Sequence, residues 1–224
     1  MTDTNHHQRH VLLAGILLLI AGLVAASDTL RNYAAIAIVW TEGVIAHAPI
    51  LGLVVFVLLA MTSAMLAFFS SAVLAPIAVN AWGAPASVCV FWLGWFLGGA
   101  MSFCIGHYLG RGVAARLIGE DKIAHWESLL NRNTRFIHIL LFQAAVPSEI
   151  PGYVLGILHY RFDRYLMALA LTEVPYAIAT VFLGDSFLKG RSALFISLGL
   201  AVIALTALLF RKLRRALALQ LDSQ

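Results

Sequence analysis

Charged residues are scarce in this sequence, and one long stretch has none. Of the 224 residues, 12% are Asp, Glu, Lys or Arg and 61% are hydrophobic, whereas about a quarter of a typical soluble domain is charged. No charged residue occurs between Glu42 and Arg111. As one helix that stretch would be about 100 Å long, against a hydrocarbon core of about 30 Å. The sequence therefore predicts an all-α, polytopic membrane protein rather than a soluble domain.

Cysteines and catalytic motifs are also scarce. The two cysteines, Cys89 and Cys104, lie about 22 Å apart along one predicted helix. The sequence contains no CxxC, HExxH, GxSxG or Walker motif, and these are the patterns that carry metal, hydrolase and phosphate chemistry. We therefore expect no disulfide, no metal site, no cofactor and no enzymatic activity.

The net charge of +4 does not indicate a nucleic-acid partner, because the basic residues form short blocks between apolar spans. Such blocks mark the cytoplasmic side of a membrane protein and attract anionic lipids. The blocks at 111–135, 161–164 and 211–215 share one face, since two spans separate the last two. We expect a cytoplasmic C-terminus in a bacterial inner membrane. The side of the N-terminus stays open, because 33–48 either crosses the bilayer or lies at its interface.

Apolar runs and polar interruptions divide the chain into five parts. We interpret the first apolar run as a retained helix rather than a signal peptide, because further spans follow it. The parts are a polar tail (1–10), N-terminal membrane helices (11–68, with a span at 50–68), a core (69–188), a final span (192–210) and a basic tail (211–224). The core comprises a broken segment (69–84), a span (85–109), an amphipathic surface helix (113–131), a second broken segment (136–158) and a span (165–183).

The two broken segments hold corresponding places, since each is followed by one apolar span. Paired, Gly/Pro-interrupted segments point to a transport site between inverted repeats. A single span separates them, so segments that enter and leave on one side would start from opposite faces. We therefore expect two opposed re-entrant hairpins that meet near the midplane. Their candidate pathway residues are Ser70, Ser71 and Asn80 in the first, and Gln143, Pro147, Ser148, Pro151, Gly152 and Tyr153 in the second.

Two carboxylates lie where water should be scarce. Glu149 falls inside the second broken segment and Glu173 inside an apolar span. An acidic residue at a helix centre costs about 2.5–3.5 kcal/mol on insertion scales, which favours a proton- or cation-responsive site on the transport pathway. Two alternatives stay open: Glu149 caps a turn or lies among headgroups, and Glu173 makes a polar contact between packed helices.

Small residues recur in the Gly-rich span at spacings of four. Gly94-x-x-x-Gly98 and Gly106-x-x-x-Gly110 place glycines along one face of a helix. Such rows let membrane helices approach closely. We therefore predict tight helix packing along this span and assign it no ligand.

The ordered pattern resembles a known family. Gly106-His107-Tyr108-Leu109-Gly110-Arg111 is followed by Pro147, and then by Pro151-Gly152-Tyr153-Val154-Leu155-Gly156. This order is similar to the DedA superfamily, also called the SNARE-associated Golgi protein or VTT-domain family, and is closer to its yeast-Tvp-like bacterial branch. The likeness runs from about 69 to 188.

The resemblance implies a lipid transporter with two opposed re-entrant hairpins. Bacterial relatives are linked to moving polyprenyl phosphates, eukaryotic relatives scramble phospholipids, and some members are coupled to a proton or sodium gradient. This chain departs from the family at two places: Ser102-Phe103 stands where an Asp is common, and Ala144 stands where an Arg often precedes the hairpin proline. Phosphate binding by that arginine is therefore not carried over, although Glu149 and Glu173 could serve ion coupling.

The sequence leaves three functions in order of preference. The first is flipping or scrambling of a lipid or lipid-linked phosphate, with membrane lipids and a proton or sodium ion as partners. The second is transport of a small solute or ion on the same scaffold. The third is a membrane scaffold that transports nothing.

Overall fold

The computed structural model describes residues 47–66, 71–131 and 134–221, and side chains up to residue 216. These residues form helices and contain no strand. A 3-10 turn (Ser71–Leu74) precedes the helix Ala75–Cys104, and a π turn (Ile105–Leu109) follows that helix. The helices are α1 (Pro49–Met65), α2 (Ala75–Cys104), α3 (Gly110–Ile118), α4 (Glu120–Leu129), α5 (Phe136–Ala145), α6 (Glu149–Ile157), α7 (Phe162–Leu188) and α8 (Ser192–Leu221).

Three helical runs among the described residues are long and apolar enough to cross a membrane. They are Ser71–Ile118, Phe162–Leu188 and Ser192–Ala216, while Pro49–Met65 and Phe136–Ala145 are shorter apolar helices. The all-helical, membrane-protein part of the prediction is therefore confirmed.

The first run does not continue unbroken through its 48 residues. Gly83 and Gly110 both have a φ of +74°, a left-handed conformation that glycine adopts without the penalty of a Cβ. These two glycines separate residues 84–109 from residues 71–82 and 111–118 of the same run, in agreement with the predicted span at 85–109.

The first hairpin consists of α1 and residues 71–82, packed against residues 84–109. Gly94 lies against Ala60, and Gly98 lies against Ala64, so α1 runs parallel to the long part of α2. The Trp95 indole Nε1 donates to Ser71 Oγ at 2.9 Å. Because Gly83 lies midway between these two residues in sequence, residues 71–82 run antiparallel to the long part. The chain therefore reverses direction between α1 and residues 71–82. Helix α1 ends at residue 65 instead of the predicted 68 and forms one arm of this hairpin, whereas the sequence predicted a crossing span at 50–68 and a separate broken segment at 69–84.

The second hairpin consists of α5 and α6 and approaches α2 from the other end. Gly152 packs against Gly99, and Gly156 packs against Phe103, so α6 runs parallel to α2 toward its C-terminal end. The break between α5 and α6 falls within the predicted segment 136–158. The open ends of the two hairpins thus lie at opposite ends of residues 84–109.

Helix α7 runs antiparallel to α2 and completes the core. Tyr165 Oη donates to the Gly99 carbonyl at 3.0 Å, and Trp92 Nε1 donates to the Ala170 carbonyl at 3.0 Å. The predicted span at 165–183 lies within α7, which is longer at both ends. This arrangement places the middle of α7 beside the breaks of both hairpins.

The polar segment 110–135 connects the Gly-rich helical run to α5. Two helices, α3 and α4, take the place of the one amphipathic helix predicted at 113–131, because Gly119 has a φ of +97° between them. The ring of Trp126 of α4 packs at a tilt against Phe142 and edge-on against Phe210, with ring centroids 4.6 and 6.5 Å apart. Helix α8 continues to residue 221, so most of the predicted basic tail is helical.

Candidate functional site

A cavity of about 480 Å³ lies where the two hairpins approach each other, a volume typical of small-molecule sites. We define the first tip as residues 63–66 with 71–72, and the second tip as residues 145–149. Ser63, Ala64, Leu66 and Ala72 line the cavity from the first tip, and all five residues of the second tip line it. Trp95, Gln143, Glu173, Tyr176, Thr180 and Thr206 complete the described wall.

Gln143 is the most informative polar residue of this wall. It lies in the last turns of α5, is only 3% exposed, and faces the carboxyl group of Glu173, although neither its Oε1 nor its Nε2 forms a hydrogen bond of ordinary length and angle among the described residues. Leaving a buried polar group unsatisfied costs about 1–3 kcal/mol. An amide in that situation needs a ligand or ordered water to satisfy it.

Two carboxyl groups face the same cavity from different elements. Glu173 is 4% exposed in the middle of α7, and Glu149 is the half-buried first residue of α6. None of the described lining residues is Lys or Arg. The cavity thus concentrates negative and neutral polar groups without a basic side chain among them.

Two tyrosine side chains form hydrogen bonds that connect the hairpins near the tips to neighbouring helices. Tyr153 Oη donates to the Met65 carbonyl at 3.2 Å, which joins the second hairpin to the end of α1. Tyr176 Oη donates to the Ala144 carbonyl beside the second tip and lies 3.4 Å from Thr206 Oγ1 of α8. These bonds reach carbonyl groups at the helix ends, which lack intrahelical partners.

The predicted pathway residues separate into two groups. Gln143, Pro147, Ser148, Glu149 and Glu173 line the cavity. Pro151, Gly152 and Tyr153 are buried in the packing of α6, Ser71 is buried beneath Trp95, and Asn80 is exposed outside the cavity. Ser70 lies outside the described residues.

Sequence reasoning missed several cavity residues: Ser63, Trp95, Tyr176, Thr180 and Thr206. For α7 a signal was present, because Glu173, Tyr176 and Thr180 follow at spacings of three and four and therefore share one helix face. The other three residues join the cavity only through contacts between distant segments, which a local pattern does not encode.

The described residues contain no group of three or more His, Cys, Asp or Glu side chains that could hold a metal ion. Cys89 and Cys104 are both free thiols.

Comparison with known proteins identifies the family. The family model of the VTT domain matches residues 14–186, which is more than three quarters of the chain. No significant match occurs among curated protein sequences or among solved structures. The nearer likeness to the yeast-Tvp-like branch stays a prediction. The chain therefore belongs to the VTT-domain family, the DedA superfamily, and is a membrane protein of that family.

Proposed function

We propose that this protein moves lipids between the two leaflets of a membrane, and that the cavity between the tips is the path of the headgroup. The single observation that carries the proposal is a cavity between the two tips that contains carboxyl, amide and hydroxyl groups inside an otherwise apolar helical protein. The amide of Gln143 supports a function in binding, because it lies on the cavity wall and forms no hydrogen bond of ordinary geometry among the described residues.

The proposal requires both hairpins to enter the bilayer and return to the same side. Helices α5 and α6 have 10 and 9 residues and are about 15 and 14 Å long, half of a hydrocarbon core of about 30 Å. Residues 71–82 are about 18 Å long and cannot cross either. Helix α1, with 17 residues, is about 26 Å long and is also shorter than the hydrocarbon core. Opposed re-entrant hairpins in inverted repeats satisfy these lengths, and the opposite positions of their open ends support this arrangement.

Lipid is the favoured substrate class because the cavity lies close to lipid-facing surface. Thr206 lines the cavity, and its neighbours on α8, Leu205 and Leu208, are 52% and 60% exposed. A headgroup in the cavity can therefore keep its acyl chains in the bilayer. The lipid would cross without any covalent reaction.

Orientation follows from the basic residues. Phe210 of α8 packs on Trp126 of α4, so the basic residues 211–215 lie at the same end of the molecule as Arg111. We propose that this end faces the cytoplasm of a bacterium and that the protein resides in the inner membrane, in accordance with the preference of Lys and Arg for the cytoplasmic side.

A second candidate function is transport of a small solute or ion, and the two carboxyl groups of the cavity favour it. A proton or sodium ion bound at Glu149 or Glu173 could also couple lipid movement to a gradient. This alternative predicts solute or ion flux through protein-containing vesicles without lipid movement.

The test uses purified protein in phosphatidylcholine vesicles that contain a trace of acyl-chain-labelled phospholipid. An impermeant quencher added outside removes the label of the outer leaflet alone. We expect nearly complete quenching with protein and about half without it. Equal quenching curves would contradict the proposal, and flux of an ion under the same conditions would support the alternative.

A further inference from the structure

The charges around the cavity are unbalanced, and this imbalance indicates which headgroup fits. Glu149 and Glu173 both line the cavity, whereas no described lining residue is Lys or Arg. The sequence has no charged residue from 43 to 110, so the whole first hairpin contributes none. We propose that the cavity recognises the primary ammonium group of a lipid headgroup and discriminates against a phosphate monoester; this inference rests on the lipid-transport function proposed above.

Only beside a cation can the carboxyl group of Glu173 be charged at low cost. Glu173 is 4% exposed in a membrane-spanning helix, and an unpaired buried charge is costly. An ammonium group in the cavity would supply the positive charge that the described wall lacks. Charge-assisted hydrogen bonds between an ammonium group and a carboxylate are about twice as strong as neutral ones.

The hydrogen-bonding groups of the wall also match an ammonium group. Such a group offers three donors and no acceptor. The wall presents the carboxylate oxygens of Glu149 and Glu173, the free Oε1 of Gln143, and hydroxyl oxygens such as that of Thr180. The unsatisfied amide oxygen of Gln143 would gain the partner that it lacks in the described structure.

A phosphate monoester meets the opposite environment. Its two negative charges would face Glu149 and Glu173 without a basic side chain on the described wall. The N-terminus of α6 could attract an anion through its helix dipole, but Glu149 is the first residue of that helix and places its own carboxyl there. The cavity therefore disfavours a phosphate monoester.

The experiment compares three acyl-chain-labelled lipids in phosphatidylcholine vesicles that contain the full-length protein. Phosphatidylethanolamine carries a primary ammonium group, phosphatidylglycerol carries none, and phosphatidic acid carries a phosphate monoester. We expect phosphatidylethanolamine to cross at least about tenfold faster than the other two, as a charge-assisted bond predicts. Equal rates for all three would overturn the inference and leave lipid transport standing, whereas no movement of any lipid would overturn both.

Substitutions of the two cavity carboxyl groups test whether the cavity causes the headgroup preference. Glu149→Gln and Glu173→Gln should each lower the ratio of phosphatidylethanolamine to phosphatidylglycerol rates toward one. Asp163→Asn is the matched control, because Asp163 lies on α7 like Glu173 but forms an exposed pair with Arg161; its ratio should stay at the wild-type value. An unchanged ratio in both Glu variants would overturn the inference. If either Glu variant fails to fold, the wild-type comparison still decides.

A separate arm distinguishes a lipid headgroup from a soluble amine. Vesicles are incubated with labelled free ethanolamine, and its uptake is compared with that of protein-free vesicles. We expect no protein-dependent uptake together with a preference for phosphatidylethanolamine. Ethanolamine uptake without a lipid preference would overturn the inference and assign the ammonium site to a soluble substrate.

Discussion

The two hairpins share a plan but differ in chemistry. Each packs against α2 through small residues, at Gly94 and Gly98 for the first and at Gly152 and Gly156 for the second. The second hairpin brings Gln143 and Glu149 to the cavity, whereas no charged residue occurs in the first. Close packing against α2 therefore occurs in both hairpins, whereas the charged groups of the cavity come from the second hairpin and α7.

The largest expected effect comes from disturbing the close glycine packing of the second hairpin against residues 84–109. Gly106 lies against the backbone carbonyl of Tyr153, so the side chain of Gly106→Val has no room unless α6 moves. We expect destabilisation of about 3 kcal/mol and loss of all transport, measured by thermal unfolding in detergent and by the vesicle assay. Gly112→Val is the control, since nothing lies within 4 Å of a Cβ atom at Gly112. Similar melting temperatures for the two variants would contradict the packing.

The next largest expected effect is on the rate of lipid movement rather than on stability, and it concerns Gln143 of the second hairpin. Gln143→Leu removes a buried amide that faces the Glu173 carboxyl group and should lower lipid movement at least tenfold while changing the free energy of unfolding by no more than about 1 kcal/mol. Tyr160→Phe is the matched control, because Tyr160 Oη is also buried without a partner in the described residues but lies outside the cavity. It should stabilise without affecting transport. A transport loss in Tyr160→Phe equal to that in Gln143→Leu would contradict the assignment of Gln143 to the transport pathway.

A smaller effect concerns the bond that joins the two hairpins. Tyr153→Phe removes the hydrogen bond to the Met65 carbonyl, and Tyr165→Phe removes the bond to the Gly99 carbonyl. Each change should cost about 1 kcal/mol, because each deletes one neutral hydrogen bond. Only Tyr153→Phe should alter the rate of lipid movement, since Tyr165 joins α7 to α2 and does not line the cavity. Equal rates for both variants would show that the link between the hairpins has no functional effect.

The smallest effect is expected outside the hairpins. Arg111 bonds Glu120 and Glu127, with its side chain 47% exposed. Exposed ion pairs contribute little, so Arg111→Gln should shift the melting temperature by at most about 2 °C. The measurement is thermal unfolding at low and high salt. A large shift that disappears at high salt would show that this pair is important for folding.

Local signals in the sequence predicted the second hairpin better than the first. Pro147 and Pro151 exclude a continuous helix through residues 146–148, and α6 accommodates Pro151 in its first turn. The predicted break there corresponds to the observed one. In the first hairpin, residues 66–69 are all apolar, so no local signal marks the end of α1 at Met65.

Local signals in the sequence also predicted part of the cavity. Glu149, Glu173 and Gln143 stand out as polar residues in apolar surroundings, and the structure places all three on the cavity wall. Trp95 and Thr206 belong to helices that meet the tips only through tertiary packing, so hydropathy and spacing gave no indication of them. Asn80 shows the converse, since a polar residue in a broken segment need not face the site.

The most direct test of the central claim measures from which side the ends of each hairpin are accessible. Single cysteines at His47, Ala84, Arg135 and Arg161 in a protein lacking Cys89 and Cys104 are treated with an impermeant thiol reagent on either side of the membrane. The account predicts that the 47 and 84 positions react from one side and the 135 and 161 positions from the other. Reaction of 47 and 84, or of 135 and 161, from opposite sides would contradict it.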